Sequence, residues 1–251
     1  MPDLSLSFVA SIARALNSAR VPCVLWGQYL LNIHGVPSII DSIDFVIPDD
    51  RLHVSIKTLF KIGTLSPCLR GGLCPSSPQQ RYSPPPAFHI HIDDSEVTVD
   101  LYPQSETLWF LPPLDGSLSS PQEAKLPLYL VLASDQTILP QRRPGRGSGV
   151  LSTEYPVLLP RALVLLEAFL RLYARDVGTR IGSFAMAMIG YMEEYVDDDG
   201  LLDGDHLSEP LRTFYRELRE GEKPVGQWTD ELKDALRRDN ESCRITNNST
   251  P

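Results

Sequence analysis

Two aspartates stand inside stretches that otherwise carry apolar, strand-forming residues. Asp44 lies within IDFVI and Asp100 within VTVDLY, both short runs rich in β-branched side chains. Side chains alternate faces along a strand, so Asp44 shares a face with Ser42, and Asp100 shares one with Thr98 and Tyr102. By the same rule Asp41 is expected to point away from Asp44. A carboxylate inside an apolar strand is costly to bury unless it is paired or holds a ligand. Two of them make a shared polar site, suited to holding a divalent cation or moving a proton, with Asp44, Asp100 and Ser42 as its catalytic candidates. The alternative is that Asp44 merely pairs with or caps a neighbour beside the following loop.

Other residues have types and spacings of interest. His89 and His91 in FHIHID lie two apart on one strand face, a spacing open to two ligands of a zinc or iron site with a carboxylate completing it. Spacing fixes no third ligand, and the favoured reading is two surface histidines on a hairpin. Cys68 and Cys74 match neither a zinc knuckle nor a redox pair; with Cys23 and Cys243 they read as free thiols of a reducing compartment. QRRPGRGSG sets Arg142, Arg143 and Arg146 among glycines. Arginine forks with exposed backbone amides suit phosphate, and a solvated linker is the equal alternative. EYVDDDGLLDGD looks like a calcium loop, but its glycine falls out of register, so it reads as a charged helix end. No phosphate-binding loop, dinucleotide fingerprint or nucleophile elbow occurs.

The elements that position these residues follow from periodicity. Leu4 to Arg20 is apolar at 4, 8, 9, 12, 13 and 16, one stripe of a helix. VPCVLWG reads as a buried strand closed by Gly27, and QYLLNIHG as a helix ending at Gly35. Ser42 to Pro48 reads as a strand and Leu52 to Ile62 as an amphipathic helix. AFHIHID and EVTVDLYP alternate about a polar turn, the mark of a hairpin. Prolines cluster in SPPPAF and FLPPLDG and point to long ordered connections. From Pro156 onward the period is helical. The expected organisation is an α/β core over residues 1–140, a basic loop over 141–155, a helical unit over 156–240 and a tail over 241–251.

A glycine closing a strand, a helix, an acidic strand and a later acidic strand together resemble the nucleotidyltransferase superfamily. The stretch GVPSIIDSIDFVI is similar to small, fungal-type nucleotidyltransferase-like proteins in which GVPR-x-T-x-DID precedes hydrophobic residues. The helix PRALVLLEAFLRLYARD is similar to the helix after the catalytic domain in that group. The resemblance spans about 120 residues and implies a mixed-sheet core with a helical C-terminal unit. It also implies that Gly27 and Gln28 form the substrate-binding turn, to which Arg142, Arg143 and Arg146, read from their own residue types, would add contacts. In the family three acids hold two divalent metals. Here the turn has Gln28 instead of Gly or Ser, the first acid of Asp-x-Asp falls on Ser42, and the usual Arg and Thr fall on Ser38 and Ile40. Only Asp44 and Asp100 carry over, enough for one Mg²⁺ that keeps its waters. The metal motif is degenerate, and the departures count against the two-metal reaction.

Composition narrows the classes. The chain of 251 residues carries a formal net charge of −9. Residues 1–150 hold eleven cations against thirteen acids, and the remainder twelve against nineteen. No broad basic face is implied, which counts against a protein held on nucleic acid by bulk charge. The N-terminus lacks a leader pattern and no apolar run approaches a membrane span, so a soluble, cytoplasmic protein with no membrane partner is expected. Three functions fit these readings. One is a divergent transferase acting on a nucleotide or other phosphate-bearing, RNA-linked substrate. Another is a tRNA-dependent, arginine-type cyclodipeptide synthase of fungal secondary metabolism, condensing aminoacyl-tRNAs. The last is a non-catalytic descendant serving as a binding module.

Overall fold

The computed structural model describes residues 6–74, 76–77, 80–81, 83–121, 125–151 and 154–247. The chain divides into two compact units, residues 1–161 and 162–251.

The first unit is built on a seven-stranded mixed sheet. Its strands are β1 (Val24–Trp26), β2 (Ser42–Ile47), β3 (Leu65–Pro67), β4 (Phe88–Ile92), β5 (Thr98–Pro103), β6 (Leu130–Leu132) and β7 (Leu158–Pro160). Across the sheet they run β3-β4-β5-β2-β1-β7-β6. β2 pairs antiparallel with β1 and parallel with β5. The expected hairpin forms, with β4 and β5 antiparallel and His89 opposite Asp100. β7 joins β1 in parallel through Val24 and Leu158, so the short run LLP, which sequence periodicity assigns to a helical stretch, is a strand of the sheet.

Register sorts the central strands into two kinds of face. Ile43 and Phe45 of β2 lie beside Val99 and Leu101 of β5, all wholly buried. The opposite face carries Ser42, Asp44 and Val46 beside Thr98, Asp100 and Tyr102. One face is thus oily and the other mostly polar, although every residue of β2 is buried. A polar sheet face with no water on it has to be covered by groups that bond to it.

Helix α1 (Leu6–Ser18) buries the stripe Val9, Ile12, Ala13 and Leu16, as its spacing predicts. Helix α2 (Gly27–Ile33) starts directly at the end of β1 and buries Tyr29, Leu30, Leu31 and Ile33. At its C-terminal end His34 hydrogen-bonds the Pro160 carbonyl at 2.9 Å through Nε2. Burial lowers the His34 pKa to about 4, so this ring is a neutral core group. Helix α3 (Leu52–Leu59) and the one-turn helix α4 (Gln104–Thr107) complete the unit.

The second unit is helical: α5 (Ala162–Asp176), α6 (Arg180–Met192), α7 (Leu211–Glu220) and α8 (Val225–Asn247). Its aromatic centre is Trp228, whose Nε1 donates to the Phe214 carbonyl at 2.9 Å and whose ring lies against Tyr173 and Phe214. The acidic stretch after α6 is a charged helix end, as its sequence implies: Asp197 and Asp198 receive the Arg219 fork, and Asp197 also accepts from Tyr215. Among the described residues no helix is long and apolar enough to cross a membrane.

Candidate active site

Asp44 and Asp100 stand side by side in register on parallel neighbours β2 and β5, both on the polar face. Their fractional exposures are 2% and 0%. The period-of-two reading of each strand therefore brings the two acids together as expected. Gly27 closes the site from the end of β1, where Trp26 opposes Asp44. Its φ is +66°, a conformation L side chains rarely adopt. A Cβ added there would overlap Asp44 Oδ2, so the absent side chain is what lets the carboxylate lie against the turn. Gln28 follows as the second residue of α2, half-buried.

What covers the polar face is a strap whose described residues, 74, 76–77, 80–81 and 83–84, lie along β5. Successive same-face residues of β5 each hold it. Thr98 Oγ1 meets Ser76 Oγ at 2.8 Å, Asp100 receives Arg81, and Tyr102 donates its hydroxyl to the Pro84 carbonyl at 3.1 Å. Arg81 is the residue that sequence reasoning missed. Its Nη1 donates to Asp100 Oδ2 and, at 3.3 Å, to Ser76 Oγ; its Nη2 donates to Ser42 Oγ at 2.9 Å and lies 3.7 Å from Asp44 Oδ1. Nε donates to Ser83 Oγ at 2.7 Å. The guanidinium thus lies between the two acids with each of its nitrogens engaged, and the Arg81 side chain is 10% exposed.

Asp41 departs from expectation. It lies just outside β2, so strand alternation does not govern it, and its Oδ1 accepts from Ser42 Oγ at 3.3 Å. A third acid therefore borders the cluster, one position away from the residue that strand register would select. Ser42 links Asp41 to Arg81 and acts as a relay between charges.

Charge balance in this cluster is incomplete. Asp44 and Asp100 face one guanidinium, and neither Asp44 Oδ1 nor Asp100 Oδ1 has a hydrogen-bond partner among the described residues. Burial pushes the Asp44 carboxyl up to about 7; Arg81 opposes the rise, and the Asp100 charge adds to it. Burial also raises Asp100, again against Arg81. The two acids share one countercharge, and a proton on Asp44 supplies the missing neutralisation.

This has a consequence for pH. The folded chain holds a proton on Asp44 up to about pH 7, whereas the unfolded chain releases it near the ordinary value of 3.8. Between those values the folded state binds more protons, so this group lowers stability as pH rises from about 4 to about 7. Asp44→Asn should match the parent near pH 4 and exceed it at pH 8, by on the order of 1–3 kcal/mol. Urea unfolding of both proteins at the two pH values measures this. An equal gap at both would show that Asp44 does not titrate in this range.

The cluster's donors bear on whether it could hold Mg²⁺. Two carboxylates with one orphaned oxygen each, beside a serine hydroxyl, supply oxygen ligands of the right kind. With Arg81 in place they do not fit the ion, because the guanidinium lies where both acids would have to share a cation and would repel it. The basic loop is placed elsewhere on α2. Gly147 N donates to the Gly35 carbonyl at 2.7 Å, and Ser148 N donates to Asn32 Oδ1 at 2.8 Å. A Cβ on Gly147 would overlap the Asn32 carbonyl, so this glycine permits the docking. The loop is therefore fastened at the end of α2 opposite Gly27, with Arg142 and Arg143 exposed and Arg146 half-buried.

His89, opposite Asp100, and His91, opposite Thr98, face the same side as the strap. Both approach Cys74, His89 Nε2 and His91 Nε2 each lying 3.4 Å from its Sγ. The reading as two surface histidines is therefore corrected: both are half-buried and engaged. Cys23, Cys68 and Cys74 are free thiols, as expected. The side chain of Cys243 lies outside the described residues.

No family model matches the chain, and no curated protein matches it. Two solved structures are similar. One is the crystal structure of ANT(2'')-Ia in complex with adenylyl-2''-tobramycin, at 15% identity and a TM-score of 0.40, covering 84% of this chain and 97% of that one. The other is the solution structure of the antibiotic-resistance factor ANT(2'')-Ia, at 13% identity and a TM-score of 0.37, covering 97% of each chain.

Proposed function

We propose that this chain is a divergent descendant of the nucleotidyltransferase fold that serves as a binding module for phosphate-bearing ligands, its former metal site converted into an internal ion-pair cluster. The observation that carries this reading is Arg81 lodged between Asp44 and Asp100, with Ser42 in place of an acid. A guanidinium delivers positive charge to both carboxylates, as a metal would, but it offers no open coordination position for a phosphate or an attacking hydroxyl. Arg142 and Arg143, exposed on a loop pinned by glycines, supply forks suited to phosphate.

A second reading keeps transfer chemistry and is favoured by the orphaned Oδ1 atoms of Asp44 and Asp100. A phosphate-bearing substrate, nucleotide or tRNA-linked, would draw Arg81 off the acids. Asp44, whose carboxyl burial raises and the loss of Arg81 would raise further, would then, when ionised, be the base that accepts the proton of an attacking hydroxyl.

One set of measurements separates the two. Binding of ATP and of tRNA is followed by calorimetry with and without Mg²⁺, and product formation is followed from labelled nucleotides and from aminoacyl-tRNA. The module predicts binding that is indifferent to Mg²⁺, weakened in Arg142→Ala/Arg143→Ala, unchanged in Asp44→Asn and without product. Turnover abolished by Asp44→Asn would overturn it in favour of the transferase.

A further inference from the structure

Four soft ligands meet on the strap side of the sheet. Cys68 follows β3, Cys74 opens the strap, and His89 and His91 project from β4. One ligand atom from each of these residues lies within 4.8 Å of all the others. Cys74 Sγ is 3.4 Å from both imidazole Nε2 atoms. In a tetrahedral site with metal–sulfur bonds of ~2.3 Å and metal–nitrogen bonds of ~2.0 Å, a sulfur–nitrogen edge measures ~3.5 Å. Two edges therefore already have that length, and modest side-chain rotation closes the rest.

The segment between the cysteines is held by polar contacts and not by an apolar core. Leu69 and Leu73 are 94% and 82% exposed, so its apolar side chains contribute almost no core, whereas Cys74 is fully buried. A short loop without a core is the kind that a structural metal staples. The ion pair of Arg70 with Glu96 fastens the loop to the β4–β5 turn at the surface. Two thiolates and two imidazoles in four-coordinate geometry suit Zn²⁺ above the oxygen-loving cations.

We propose that Cys68, Cys74, His89 and His91 bind one Zn²⁺ ion as a closed structural site that pins the start of the strap carrying Arg81. Binding releases the thiol protons to solvent and changes no oxidation state. The site is separate from the carboxylate cluster, and its test does not depend on which function that cluster performs.

The full-length protein, stripped with chelator under reducing conditions, is titrated with Co²⁺ and then with Zn²⁺. The expected result is one equivalent of Co²⁺ per chain, giving the intense visible bands of a tetrahedral site and the near-ultraviolet charge transfer of thiolate ligation. Zn²⁺ should displace it stoichiometrically and raise the melting temperature. Cys74→Ser and His91→Ala should each weaken Zn²⁺ by more than about 100-fold. The wild-type spectrum needs no variant, so misfolding of a mutant leaves the test intact. Octahedral, weakly absorbing Co²⁺, uptake unchanged in a folded Cys74→Ser, or a Cys68–Cys74 disulfide that persists in the presence of reductant would each overturn the site.

Discussion

Arg81→Ala should lower the stability of the first unit by about 3–5 kcal/mol, the usual effect of removing one partner from a buried ion pair. The loss comes less from the bonds themselves than from what stays behind. Asp44 and Asp100, 2% and 0% exposed, would face each other with no countercharge. Arg81→Lys should recover only part of the loss, because an ammonium cannot reach Asp100, Ser42 and Ser83 at once as the planar fork does. The diagnostic combination is Arg81→Met with Asp44→Asn and Asp100→Asn. If uncompensated charge is the cause, the triple variant should be more stable than Arg81→Ala alone. Chemical unfolding at pH 7.5 (roughly a pH at which isolated carboxyls are fully ionised) measures all of these. A loss below about 1 kcal/mol for Arg81→Ala, the level of an exposed pair, would mean that water reaches the cluster.

Gly27→Ala should cost about 2–4 kcal/mol, the range of strained or overpacked core positions. Two effects add. An L residue at φ +66° pays about 1 kcal/mol or more in backbone strain. The new methyl would also occupy the space of Asp44 Oδ2, so the carboxylate has to turn, and it can turn only by leaving its place near Arg81. The two contributions separate in Gly27→Ala combined with Asp44→Ala, where the clash is gone and the strain remains. If the double variant loses as much from the glycine change as the parent does, steric conflict with Asp44 is not its cause.

The strands and their faces were legible in the sequence because a period of two is a local property. IDFVI and VTVDLY fix which side Asp44 and Asp100 occupy, and in-register parallel pairing brings them together. Arg81 was not legible. The described residues of its strap have no regular secondary structure, and hydrogen bonds rather than a repeating apolar pattern hold them down. The one available signal was thermodynamic: two buried acids require a cation, and that requirement names a residue type without naming a position. Asp41 lies one residue before β2, where strand alternation no longer fixes its side. His89 and His91 were recognised as a pair, but their partners arrive through β3, a strand of three residues of which only Leu65 is buried. Such an element leaves almost no trace in a hydrophobic pattern. β7 escaped for a similar reason, since three apolar residues beside a helix blend into its period.

Among the described residues, the strap's fastenings to β5 fall on alternate residues of that strand, at Thr98, Asp100 and Tyr102. The middle one bears charge and the outer two are neutral. Undoing an end alone leaves the ion pair holding, and undoing the middle alone strands two acids, so release favours a concerted event over gradual fraying. Any ligand of that sheet face would then meet its binding partner only in the fraction of molecules with the latch open. Its apparent affinity would fall by that fraction, however well the exposed face suited it. Selection on such a protein can therefore tune occupancy by altering Ser76, without touching a residue of the sheet face that contacts the ligand.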